Sequence, residues 1–325
     1  MKKNLWLLLD NRQGSVNQAR GIAYAIGDKM DITEKKLVYN KLSFLPNWIR
    51  GKTLIGIDQK NSDTLNSGYP DILISSSRRT VPAARYIRKK SNNKTKIVQL
   101  MYPSGGVGTK EMDLIIVPSH DSLKKQNIPN ALVVIGAPNK ICPQILNEAK
   151  TKWQNIFEKL PKPYTAVIIG GAIKGKEWSQ DNAFAIAKRI KELHSQIGGS
   201  LLITTSRRTG RNNQDIIMSE LQGIPSYTYL WGENKENPLL GFYACSDKII
   251  VTGDSVSMCS EACSTGKPVL LFQGENWLTL KHQRFVSTMI KEEYAIDLYN
   301  SNALTFTPKK TLNISAKISE AIEKL

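Results

Sequence analysis

The sequence is poor in the residues that most often hold metals. Its 325 residues contain three histidines, His120, His194 and His282, too scattered for a zinc site. The four cysteines, at 142, 245, 259 and 263, form no CxxC pair and no metal spacing. They suit a reducing compartment, where thiols serve as small core residues. No carboxylate triad or Asp-x-Asp is present, so neither a metal nor a resident cofactor is expected. Long apolar runs are missing too, and nothing approaches the roughly 20 residues of a membrane span. The opening Lys2-Lys-Asn-Leu-Trp-Leu-Leu-Leu-Asp mimics a signal peptide. Its apolar core is only Leu5 to Leu9, and Asp10 ends it without a cleavage signal, so it reads as a buried first strand. The expected location is the cytoplasm, free or peripheral on the inner face of the membrane.

Acids are the other shortage. The net charge is +17, and no acid occurs from Ile72 to Lys110, where Arg78, Arg79, Arg85, Arg88, Lys89, Lys90, Lys94, Lys96 and Lys110 are basic. Such an excess admits nucleic acid, anionic membrane or phosphorylated substrates as partners. Aromatics in that stretch are limited to Tyr86 and Tyr102 and no nucleic-acid motif appears, so nucleic acid is not expected. A helix over 82–90 would gather Arg85, Arg88, Lys89 and Lys90 into a face that docks on anionic lipid.

The length suggests two domains, and 41% hydrophobic residues suffice for full cores. Apolar strands alternate with helical stretches, the pattern of α/β domains with parallel sheets. The expected fold is two Rossmann-like domains facing each other across a cleft. Residues 1–140 make the first domain, 141–163 a linker with an amphipathic helix around Trp153, and 164–325 the second. The last helix, 315–324, is expected to pack back on the first domain. Strands are predicted at Leu5–Leu9, Ile72–Ser75, Ile97–Leu100, Leu114–Val117 and Leu132–Ile135, with a first helix from Val16 to Ile26. The stretch 40–70 reads as irregular and polar, and no element is placed in it. Ligands of open parallel sheets bind beyond the carboxyl ends of the strands. Those ends carry polar loops: Asp10 to Gln18, Ser75 to Thr80, Tyr102 to Gly108 and Pro118 to Asp121.

The second half repeats the pattern, with strands at Thr165–Ile169, Leu201–Thr204 and near Tyr227–Leu230. Its most informative stretch is 248–272: strand, tight turn, helix from Val256 to about Thr265, a Gly266-Lys-Pro stop and another strand. Ser255 is a good N-cap, and the helix start can hold an anion such as phosphate. Ser257 and Glu261, four apart, share the face opposite the apolar one. Glu261 is placed to accept a ribose hydroxyl pair. The two halves also echo one another, since Ile74-Ser-Ser-Ser-Arg-Arg-Thr and Ile203-Thr-Thr-Ser-Arg-Arg-Thr each follow a strand.

These motifs together resemble the Elongated-Mitochondria (Elm) type mitochondrial fission proteins and their bacterial homologues. The matching pieces are Gly14-Ser-Val-Asn-Gln with Gly21, Ser77-Arg-Arg-Thr-Val-Pro-Ala-Ala-Arg, Val117-Pro-Ser-His-Asp, Gly136-Ala-Pro, Thr204-Thr-Ser-Arg-Arg-Thr-Gly, Asn237-Pro and the run from Val251 to Val269. The early loop departs slightly, with Gln13-Gly14 where the family usually has a Pro-Gly-type turn. The resemblance implies a GT-B-like glycosyltransferase fold, with the acceptor on the first domain and a nucleotide-sugar on the second. The 248–272 stretch also looks like the donor-site helix of the lipid-linked N-acetylglucosaminyltransferases of cell-wall synthesis. Plant members of the family act in recruiting a dynamin-related fission protein. With no targeting peptide in view, that is not the job expected here.

The first functional reading is a metal-independent transferase using a nucleotide-sugar as co-substrate, with a lipid-linked or envelope-glycan acceptor. Positive groups are needed where the diphosphate leaves. Ser206, Arg207, Arg208, Thr209 and Gly210 would supply them, with Asp254, Ser255, Ser257 and Glu261 on the other side. Gly170 and Gly171 would permit close approach to substrate. His120, with Asp121 beside it, is the expected general base. Gln13, Gly14, Asn17, Gln18, Arg78 and Arg79 form the expected acceptor side. The alternative is a non-catalytic binding or adaptor protein of the mitochondrial fission Elm type that retains the glycosyltransferase-like fold.

Overall fold

The computed structural model describes residues 2–121 and 123–325. The chain divides into two compact units, Met1–Lys140 with Asn313–Leu325, and Ile141–Leu312.

In the first unit the elements run β1 (Lys3–Leu9), α1 (Gln13–Ile26), β2 (Met30–Lys36), α2 (Asn47–Arg50), β3 (Ile72–Ser75), α3 (Val81–Lys90), β4 (Lys96–Leu100), β5 (Leu114–Pro118), α4 (Leu123–Gln126) and β6 (Ala131–Val134). Six parallel strands line up as β2-β1-β3-β4-β5-β6. Leu5, Leu7, Leu8 and Leu9 are fully buried, as a strand covered on both faces requires. The sequence reading missed β2. It is an edge strand in full register with β1, Lys3 opposite Met30 through Leu9 opposite Lys36. One side of it meets solvent, and Glu34 there takes a two-pronged ion pair from Arg20, so no apolar run marks it.

The second unit runs α5 (Pro143–Phe157), β7 (Tyr164–Ile169), α6 (Gln180–Ile197), β8 (Ser200–Thr205), α7 (Arg211–Glu220), β9 (Ser226–Tyr229), α8 (Leu239–Cys245), β10 (Lys248–Thr252), α9 (Val256–Ser264), β11 (Val269–Phe272), α10 (Leu280–Lys291) and β12 (Ile296–Asp297). Its parallel sheet is ordered β12-β11-β10-β7-β8-β9. The chain therefore starts mid-sheet at β7, builds outward to β9, then returns and builds the other way from β10. Helix α5 is built into this unit: Trp153 and Phe157 stack on each other, and Phe157 packs on Tyr227 and Phe242. A last helix, α11 (Ile314–Glu323), joins the first unit, where it packs on α1 and its Ser315 hydroxyl donates to the Asn139 carbonyl at 2.5 Å.

Two expectations need correction here. Helix α1 begins at Gln13, three residues earlier than read, so Gln13, Gly14, Asn17 and Gln18 lie on its first turns, and the Gln13 amide donates to Asn17 at 2.8 Å. The basic face of α3 is largely answered. Arg85 lies 2.7 Å from Glu111 and Arg88 pairs with Asp113, with those arginine side chains only 11% and 19% exposed. Both acids stand just past the acid-free stretch, and the fold brings them back. Lys89 and Lys90 remain exposed. Among the described residues no helix is long and apolar enough to cross a membrane.

Candidate functional site

In a doubly wound sheet the strand-end crevice lies where the build direction reverses. In the second unit that point falls between β7 and β10, and three loops meet there. The loop after β8 closes on itself: the Thr209 hydroxyl accepts from Ser206 N–H at 3.0 Å, and the Ser206 hydroxyl accepts from Arg208 N–H at 3.2 Å. Both hydroxyls also donate to the Gly170 carbonyl at the end of β7. From β10, the Thr252 hydroxyl accepts from Gly170 N–H at 2.7 Å and the Asp254 carboxylate accepts from Gly171 N–H at 3.0 Å. That same carboxylate oxygen lies 2.7 Å from the Arg208 guanidinium.

This network revises the reason for the two glycines. A Cβ on Gly170 would sit 2.1 Å from the Asp254 carboxylate, and one on Gly171 2.0 Å from the Arg208 carbonyl. The close approach they permit is of the protein's own loops. Asp254 is likewise turned inward, its side chain wholly buried. Burial pushes its pKa up, while Arg208 and the surrounding N–H and O–H donors hold it down.

What faces outward is different. Arg207 and Gly210 are exposed, and Arg207 has no hydrogen bond or ion pair among the described residues. Arg208 is engaged with Asp254 and with the Ala172 carbonyl at 3.1 Å. Ser255 caps α9 by accepting from Met258 N–H at 3.3 Å. The amides of Val256 and Ser257 point out of the helix end, as first-turn amides do. One turn on, Glu261 is half-buried rather than solvated, and the buried Tyr243 hydroxyl donates to it at 3.4 Å. Burial drives the Tyr243 pKa well up, with the Glu261 charge adding to it.

One neighbour escaped the sequence reading. His282, in the first turn of α10, is bonded to the Thr279 hydroxyl at 2.7 Å. Burial lowers its pKa first, then the charges of Lys281 and Arg208. The only signal available was a histidine three residues after a cap-type threonine, which has no chemistry of its own.

The first unit reverses direction between β1 and β3, and there the echoed sequence folds into the same turn. Ser77 N–H donates to the Thr80 hydroxyl at 3.0 Å and Arg79 N–H to the Ser77 hydroxyl at 3.1 Å. Arg79 lies over the Tyr39 ring at 5.0 Å, and Arg78 is exposed. Asp10, at the end of β1 and 5% exposed, accepts from Arg12 N–H at 2.8 Å, while its Oδ2 is buried with no hydrogen-bond partner among the described residues. Burial, then the nearby Asp10 charge, drives the Tyr39 pKa well up. Gln13 and Gly14 lie beside this point. His120 and Asp121 do not: they follow β5, separated from β3 by β4. His120 is only 3% exposed, and Asp121 is 3.5 Å from Lys125. Among the described residues no group of three or more His, Cys, Asp or Glu is arranged to hold a metal ion.

Comparison with known proteins gives consistent matches. A sequence model of the family described as Mitochondrial fission ELM1 matches residues 13–325. The uncharacterized protein RP120 of Rickettsia prowazekii is 30% identical over 356 aligned positions, covering 98% of each chain. The mitochondrial fission protein ELM1 of Arabidopsis thaliana is 30% identical over 257 positions, covering 70% of this chain and 58% of the plant protein. Among solved structures, UDP-GlcNAc 2-epimerase of Methanocaldococcus jannaschii superposes with a TM-score of 0.57 at 12% identity, over 99% of this chain and 100% of that one. MurG of Acinetobacter baumannii gives 0.52 at 11%, over the same shares. The UDP-GlcNAc 2-epimerase of Neisseria meningitidis, bound to UDP-GlcNAc, gives 0.52 at 14%, over 99% of this chain and 98% of that one. At such identities the likeness is one of fold: two Rossmann-like units, as in GT-B glycosyltransferases and these epimerases.

Proposed function

The chain belongs to the mitochondrial fission ELM1 family, and we propose that it is a GT-B-like, metal-independent glycosyltransferase that binds a nucleotide-sugar diphosphate at the β7/β10 reversal of its second unit. The observation that supports this most is the division of labour between the paired arginines. Arg208 is spent on the buried Asp254, while the exposed Arg207 is left for a ligand. Arg207 and the α9 amides would take the charge that grows on the diphosphate as the sugar leaves. Glu261, steadied by Tyr243, would accept from the ribose. We place the acceptor, a lipid-linked or envelope glycan, at the β1/β3 reversal of the first unit, with Gln13, Arg78 and Arg79. The fold neighbours named for UDP-GlcNAc make UDP the first nucleotide to try.

Thermal unfolding with and without UDP tests this. A ligand of the native state at about 100 times its Kd adds about 2.7 kcal/mol, and the shift should vanish in Arg207→Ala. No shift with any nucleoside diphosphate would overturn it. A second reading, a binding protein without turnover, is favoured by the burial of His120, which withdraws the expected base from solvent. UDP binding without transfer or hydrolysis of UDP-sugars would select it.

A further inference from the structure

Within segment 38–57 of the first unit, residues 42–50 reverse the usual burial pattern. Its polar Ser43, Asn47 and Arg50 are 2%, 3% and 0% exposed. Asn47 donates to the Arg78 carbonyl at 3.0 Å and Arg50 to the Arg79 carbonyl at 3.2 Å, so the segment is clamped to the loop after β3. Four of its large apolar side chains face solvent instead, Phe44 81%, Trp48 71%, Leu42 52% and Ile49 46% exposed, within eight residues of chain, while Ile57 stays in the core. Scattered apolar residues on a surface need no explanation, but a clustered patch of large ones marks a partner.

Charge identifies the partner. From Val38 to Ile57 there is no acid, and the exposed Lys41 and Arg78 flank the patch of a chain whose net charge is +17. A patch of four side chains on two short turns is small against the roughly 800 Å² per partner of a stable protein interface. It does suit insertion among lipid headgroups, where Trp and Phe settle and basic residues meet anionic phosphates. We propose that Leu42, Phe44, Trp48 and Ile49 insert into the interfacial layer of an anionic bilayer, with Lys41 and Arg78 at the headgroups. This deepens the transferase reading by naming an amphiphilic acceptor, because the inserted segment is clamped to the Arg78–Arg79 loop.

The test is co-sedimentation of the full chain, without nucleotide, with vesicles of phosphatidylcholine containing phosphatidylglycerol, against phosphatidylcholine alone. The wild type should sediment with the anionic vesicles. The double variant Phe44→Ser/Trp48→Ser should lose about tenfold or more in partitioning, the loss of about 1.4 kcal/mol or more. Both replaced side chains are exposed, so its melting temperature and its UDP shift should match the wild type. Lys41→Glu should weaken binding to anionic vesicles only. The proposal is overturned if the wild type ignores anionic vesicles, if the double variant binds as the wild type does, or if the patch instead holds two copies together, seen as a wild-type dimer that the double variant dissociates. Because the vesicle assay needs no nucleotide, its failure and failure of the UDP shift are separate results.

Discussion

Arg207 and Arg208 are adjacent and identical in type, yet their surroundings assign them different work. Removing Arg207 should weaken UDP binding and leave the melting temperature of the free protein unchanged, since it makes no hydrogen bond or ion pair among the described residues. Removing Arg208 strands the buried Asp254 carboxylate without its cation. Breaking a buried pair costs roughly 3–5 kcal/mol, and with Arg208 about a third exposed the low end is expected. Urea unfolding of Arg208→Ala measures it, and a loss near zero would show that the N–H and O–H donors around Asp254 suffice alone. Glu261 needs a finer pair of variants. Glu261→Ala should weaken UDP binding by roughly 1–3 kcal/mol, the scale of a charged hydrogen-bond partner, but it also takes an acceptor from the buried Tyr243. Glu261→Gln keeps an acceptor for Tyr243 and removes the charge. If Gln restores stability without restoring affinity, the carboxylate belongs to the ligand. If it restores both, Glu261 is a support for Tyr243.

The secondary elements show which parts of this fold a sequence can declare. Strands covered on both faces are continuous apolar runs, so β1, β3, β7 and β10 were legible. β2, with one face in solvent, and the two-residue β12 were not. Residues 42–50 escaped for the opposite reason: Ser43, Asn47 and Arg50 are inside and Leu42, Phe44, Trp48 and Ile49 outside, which defeats a pattern built on burial. The charges of α3 misled because Glu111 and Asp113 answer them from beyond the acid-free stretch. The turn between α9 and β11 makes a testable case of its own. Lys267 donates to the carbonyls of Ala244 and Ser246 at the end of α8. Burial pushes its pKa down to about 8, with Cys245, Asp247 and Lys150 also in range. An unfolded lysine titrates near about 10.4. Between those values the unfolded chain holds a proton that the folded one has released, so this residue's contribution to stability rises with pH across that window. Denaturant unfolding of the wild type relative to Lys267→Met should show that rise. A flat difference would mean that the two carbonyls hold the ammonium charged.

In the molecule as a whole, the chain leaves the first unit at Lys140 and returns to it at Asn313. The candidate nucleotide site lies entirely in the stretch between. On the returning helix Ile314, Ile318 and Ile322 are 4%, 0% and 0% exposed, and on α1, against which this helix packs, Ala19, Ile22 and Ile26 are buried as well. Burying one large aliphatic side chain contributes about 1.5–3 kcal/mol, so three isoleucines amount to a large part of a domain's usual margin of about 5–15 kcal/mol. Deleting residues 313–325 should therefore unfold or severely destabilise the first unit. The second unit loses no buried side chain and should keep its UDP-dependent thermal shift. Calorimetry with limited proteolysis would separate the two. The expected result is loss of protection over residues 2–140 with a surviving, UDP-shifted transition from 141–312. Loss of both transitions together would show that the second unit cannot stand without the first. An unchanged first transition would show that α11 contributes little to the sheet it returns to.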